Sequence, residues 1–177
     1  MFPRRYFPSG NSGSAVLPPA LPAAPAVTVS VEEALVAWLK LQPAIAALVG
    51  TRIYDQSLRQ AVSINPGQCA ITYRVESDLV EENLDGSVSG DYVAVIVLTL
   101  HAMTEADAGN LGQLIRGRQT APSLDGWRGW MGTATVMVWT QYVRVTDRPA
   151  SFVPDIHGSD LGFWLPNLAV TIAYFQP

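Results

Sequence analysis

Two histidines, a single cysteine and a loose run of aspartates are the residues of this 177-residue chain most able to do chemistry. General-base catalysis needs a nucleophile within hydrogen-bond reach of the base and a further group to orient it. His101 ends an apolar run, the ordinary place of a satisfied histidine at the end of a buried strand. Asp147, Asp155, His157 and Asp160 together offer oxygen and nitrogen ligands of the kind a cation takes. No helix or fixed spacing organises them, and aspartate in a Pro- and Gly-containing stretch is an ordinary turn former. They are read as turn residues, with a small cation- or ligand-binding α+β domain as the alternative that segment 146–160 supports. Cys69 falls inside an alternating apolar run and reads as a small apolar side chain, not a nucleophile. One cysteine allows neither an intrachain disulfide nor a cysteine-based metal site. The expectation is no catalytic residue, no metal and no cofactor, hence no enzyme.

Phosphate-cradling loops need spaced glycines followed by a helix, and neither the GxxxxGK[ST] nor the GxGxxG pattern occurs. The glycines around Trp127, Arg128 and Trp130 lead into a strand instead. Those three side chains suit base stacking, but the same types are enriched at protein–protein hot spots. Net charge of −4 and an isoelectric point near 5.0 favour the protein partner over nucleic acid. Hydrophobic residues make up 49% of the chain and charged residues 15%, against roughly 25% charged in average domains. A surface so poor in charge is most simply covered by other subunits. One lysine, Lys40, stands against ten arginines, whose planar, weakly hydrated fork tolerates interfaces better. No apolar run reaches the roughly 18 residues of a membrane span, so no membrane partner is expected. Arg4 and Arg5 lie near the N-terminus, but Pro18, Pro19, Pro22 and Pro25 break the stretch beyond them, which argues against a signal peptide.

These side chains need elements to hold them. Residues 1–27 are rich in Pro, Gly, Ser and Ala and read as an extended arm or loose tail, with Phe2, Tyr6 and Phe7 as its anchors on a neighbour. Residues 28–177 read as one domain. Ser30 and Glu33 form a capping-box pattern ahead of Leu35, Trp38 and Leu39 at helical spacing. Pro43 starts a second short helical piece that Gly50 ends. Residues 52–66 read as loop and 68–76 as an alternating strand. Residues 77–91 read as an acidic loop. The strand over 92–103 is apolar on both faces, so one face packs on the domain's helices and the other on something else. Thr104 caps a further helix, and a Gly-rich loop covers 119–131. Two more strands, about 133–145 and 161–175, flank a long loop over 146–160. The expected fold is α+β, a two-layer sandwich with a mainly antiparallel four-stranded sheet, helices on one face, in the order α-β-β-α-β-β.

The stretches VEEALVAWL at 31–39, PAIAALVGTRIYD at 43–55, CAITYRVES at 69–77, LDG at 84–86 and VAVIVLTLHAM at 93–103, then TEADAGNLGQLIRG, have a familiar order and spacing. Over about residues 30–118 the chain resembles the phage tail-completion family, which includes tail terminators and head–tail joining proteins of long-tailed phages. The last two strands agree in layout more than in wording. The resemblance implies a structural virion protein whose six-subunit ring caps the tail tube, ends tail elongation and joins the tail to the head connector. Its implied partners are further copies of itself, the major tail tube protein and the head completion protein, with DNA passing through the lumen unbound. The implied location is the tail–neck junction of the virion, reached by assembly in the host cytoplasm. Another neck or minor tail protein of the same fold is the nearest alternative. Within that frame Glu76, Asp78, Glu81, Glu82 and Asp85 are expected to face the lumen and repel DNA phosphates. Val93, Val95, Val97, Trp127, Arg128 and Trp130 are expected at subunit contacts.

Overall fold

The first helix forms where its sequence cues place it. Ser30 Oγ accepts the Glu33 N–H at 3.4 Å, capping α1 (Val31–Leu41), and Ala34, Leu35, Trp38 and Leu39 form its buried stripe. Each large side chain in that stripe contributes about 1.5–3 kcal/mol by leaving water. Pro43 opens α2 (Pro43–Val49), where a missing N–H costs nothing, and Gly50 closes it at a φ of 57°. The computed structural model describes residues 30–57, 63–82, 88–117, 123–154 and 162–175, and of these 81–82, 88–90, 151–154 and 162–164 by backbone alone.

Six strands make up the rest of the fold: β1 (Ile53–Asp55), β2 (Cys69–Glu82), β3 (Val88–Ala102), β4 (Gly129–Thr133), β5 (Val136–Pro154) and β6 (Gly162–Phe175), with α3 (Glu105–Arg116) between β3 and β4. They form one sheet in the order β1-β2-β3-β6-β5-β4. β1 runs parallel to β2 and every other neighbour pair is antiparallel. Thr104 Oγ1 accepts the Asp107 N–H and donates to its carboxylate, which caps α3, and Gly117 ends it in the left-handed conformation.

The sheet is curled into a half-barrel, a mixed α/β fold. Tyr73 from β2 and Thr133 and Val136 from the β4–β5 hairpin border one cleft with α1, so the curl brings strands from opposite ends of the sheet to the same helix. The core joins the buried stripes of the helices to Ala94, Ile96, Leu98 and Leu100 of β3, Leu168, Val170, Ile172 and Tyr174 of β6, and Val143 and Val145 of β5.

This architecture corrects the expected four-stranded, mainly antiparallel α+β sandwich in α-β-β-α-β-β order. Two strands lie where loops were expected. β1 has three residues, too few to display a period of two, and β4 is threaded with Gly129 and Gly132 at φ of 116° and 111°. Length also differs. Residues 77–91 belong largely to a hairpin, because β2 runs on to Glu82 and β3 starts at Val88. Strand β5 continues to Pro154, through most of the expected 146–160 loop. Carboxylates hid the extension of β2, since a strand that carries them reads like a loop when only apolar alternation is counted, and Pro149 and Pro154 hid that of β5.

Candidate subunit interface

The strand register sorts the sheet into two faces. On β3, Ala94, Ile96, Leu98 and Leu100 lie under the helices, so Val93, Val95 and Val97 lie on the opposite face. No helix covers that face among the described residues. Its residues line up in rows across four strands. One row runs Leu79, Val93, Ala173, Tyr142 and the next runs Asp91, Phe175, Trp139, Trp130. Leu79 is 65% exposed, Tyr142 42%, Phe175 41% and Trp139 39%. Large apolar side chains in adjacent rows of an uncovered sheet form the kind of contiguous patch that marks an interaction surface. Trp130 meets Trp139 edge-on, with ring centroids 5.4 Å apart, so the two indoles stiffen one another at the patch margin.

Farther along, the same face is polar and closed by the chain itself. Arg148 on β5 donates two hydrogen bonds to Glu76 on β2, at 2.7 and 2.6 Å, and Arg74 adds a third at 3.0 Å. Strands β3 and β6 lie between those partners, so the ion cluster bridges them. Val97 and Ala169, paired beneath this span, are only 3% and 6% exposed. The hydrogen bond from Arg148, reinforced by Arg74, holds the Glu76 carboxyl below its usual range. Thr72 Oγ1 and His101 Nε2 share a hydrogen bond of 3.0 Å, and Thr99 donates to Asn167 at 2.7 Å. Burial pushes His101 down to about 4, so the imidazole is neutral at pH 7.

The expected site residues therefore divide. Val93 and Val95 are half-buried; Val93 and Trp130 are part of the apolar rows, and Val95 lies beside them. Val97 lies beneath the ion bridge. Trp127 belongs to the chain's own core: its ring meets Trp38 edge-on at 5.6 Å. Arg128 is exposed ahead of β4. Of the acidic group, Glu76 is held by Arg74 and Arg148, and Asp78 accepts the Tyr174 hydroxyl at 3.0 and 3.1 Å. Tyr174 is raised above its ordinary value, chiefly by burial and then by this carboxylate. Glu81 and Glu82 end β2. Asp85 lies outside the described residues, as do Phe2, Tyr6 and Phe7.

Leu79, Trp139, Tyr142 and Phe175 were not among the expected interface residues. Leu79 and Val80 are flanked by carboxylates in sequence, and a bulge at Gln141 places Trp139 and Tyr142 on one face although three positions separate them. Phe175 alternates with Tyr174, which enters the core. Segment 146–160 contributes no ligand group among the described residues. Asp147 is ion-paired with Arg116 of α3, and Asp155, His157 and Asp160 fall outside the described residues. Cys69 is fully buried, and desolvation pushes its thiol up to about 11, so it is not poised as a nucleophile. No family model matches the chain, and no curated protein sequence matches it.

Proposed function

We propose that this protein is a structural subunit of a phage tail-completion ring, which caps the tail tube, ends its elongation and joins it to the head connector. The observation that carries the reading is the uncovered apolar face, with Leu79, Tyr142, Phe175 and Trp139 in adjacent rows. A charge-poor chain with such a face is completed by assembly, where the patch is buried between subunits. Val93, Val95 and Trp130 extend that contact, and Arg128 lies near its margin. The resemblance over about residues 30–118 supplies the tail context, and a hexamer is the stoichiometry that context implies.

The lumen role of the acidic group belongs to the same proposal. Glu76 and Asp78 are engaged within the chain, so repulsion of passing DNA rests on Glu81, Glu82 and Asp85. The test is electron microscopy of particles from a phage that lacks the gene. Overlong or ragged tails that fail to join filled heads support the reading. Intact virions with tails of normal length overturn it.

A further inference from the structure

The sheet has two open edges. Strand β1 pairs with β2 only at Ile71, Thr72 and Tyr73, so from Arg74 to the end of β2 at Glu82 the outer side has no strand beside it among the described residues. At the other side of the sheet, β4 pairs with β5 as far as Thr140. The next outward groups of β5 are satisfied by the preceding turn, with Gly126 N–H donating to the Val143 carbonyl and Val145 N–H to the Asp125 carboxylate. Beyond them β5 runs on to Pro154 with no outer strand among the described residues. Pro149 and the register shift between Arg148 and Ser151 are features found in edge strands.

We infer that these edges join head to tail, the free part of β2 in one copy pairing with the distal part of β5 in the next. This rests on the ring reading above and names the contact that would close the ring. Three observations select a second copy and this orientation. β2 and β5 run in opposite directions, because three antiparallel steps connect them, and Arg74 is level with Thr146 across the sheet, so the free parts of the two edges lie towards opposite ends. A neighbour staggered along the strands by the length of one free segment sets distal β5 beside its β2 as an antiparallel pair. The free lengths match, with residues 74–82 on one edge and about 147–154 on the other. The charges also select. The β2 edge carries Glu76, Asp78, Glu81 and Glu82 against one Arg74, whereas the β5 edge from Asp147 to Pro154 carries one carboxylate, Asp147, and one guanidinium, Arg148, and so no net charge. Two β2 edges brought together repel, and a β2 edge against a β5 edge does not. A head-to-tail contact is heterologous and closes into a ring when its rotation permits, unlike a two-fold contact, which stops at a dimer. Edge pairing uses only backbone groups in the plane of the sheet, so it leaves the apolar face free for its own contact.

The test uses the full chain with Val80→Cys on β2, Ala150→Cys on β5, and both together, treated with a short bis-maleimide under native conditions. Val80 is 40% exposed and Ala150 is exposed, so neither change enters the core. Cys69 is fully buried and stays unreacted. The double variant is expected to give a ladder of linked chains up to the full ring, the two single variants mixed to give linked dimers, and each single variant alone to give none. A single variant that crosslinks to itself overturns the head-to-tail contact in favour of a two-fold one. An oligomer that gives no ladder overturns the edge contact and leaves the ring reading standing. A chain that is monomeric throughout overturns both.

Discussion

At the scale of single residues, His101 connects burial to a measurable pH response. Its imidazole lies on the strand end beside Thr72 and is held neutral by desolvation, with its titration moved from 6.5 to about 4. The unfolded chain therefore binds a proton between those values while the folded chain does not, so stability falls as pH drops through that window and is unaffected above it. Full burial across such a window corresponds to about 3 kcal/mol, and partial exposure reduces this to roughly 1–2 kcal/mol. Chemical denaturation at pH 7 and pH 4.5 is expected to show this loss, and His101→Gln is expected to remove most of the difference from the wild-type slope. An unchanged slope in the variant means that carboxylates alone set the acid response. The placement of His101 was legible in sequence, because a histidine ending an apolar run has few other homes. The opposite was true of Trp127, whose neighbours Arg128 and Trp130 suggested a surface cluster. Its contact with Trp38 joins residues distant in the chain, and nothing local signals such a contact.

At the scale of elements, the β4–β5 hairpin depends on one backbone conformation. Gly132 has a φ of 111°, and a Cβ there would lie 1.9 Å from the Val136 carbonyl oxygen. Gly132→Ala is expected to destabilise the fold by more than about 2 kcal/mol through strain and the loss of hairpin closure, read as a lower denaturant midpoint. A variant as stable as wild type would show that the hairpin tolerates another turn. Helices α1 and α3 were readable from their caps and apolar spacing, since Ser30 and Thr104 each satisfy a terminal N–H that no helix can satisfy internally. Strands β1 and β4 were not, because short edge strands take their stability from the neighbour they pair with and not from their own pattern. The carboxylates of β2 were read as a hairpin tip for the same reason. Their strand is held by pairing with β3, from Cys69 opposite Ala102 to Glu82 opposite Val88.

At the scale of the whole molecule, the uncovered face and the open edges are features of the assembled sheet, visible only once strand order is known. The sequence shows β3 apolar on both sides, from which a contact outside the helices is expected at Val93, Val95 and Val97; the last of these lies beneath the chain's own ion bridge. The sequence does not identify the partners of those valines across the sheet, because Leu79, Ala173 and Tyr142 come from three other strands. If the patch is a contact surface, a charge placed in it weakens association without unfolding the chain. Trp139→Arg with Phe175→Arg is expected to lower the association constant at least about tenfold, the effect of losing roughly 1.4 kcal/mol at an interface, while circular dichroism stays unchanged. Association equal to wild type would place the contact elsewhere.

The most direct test of the central claim is the native mass of the purified full chain across a range of concentrations. The ring reading predicts a closed oligomer, about 115 kDa for six copies of a 19.1 kDa chain, with no open-ended series of larger species. A single species at the mass of one chain, persisting at high concentration, would contradict it.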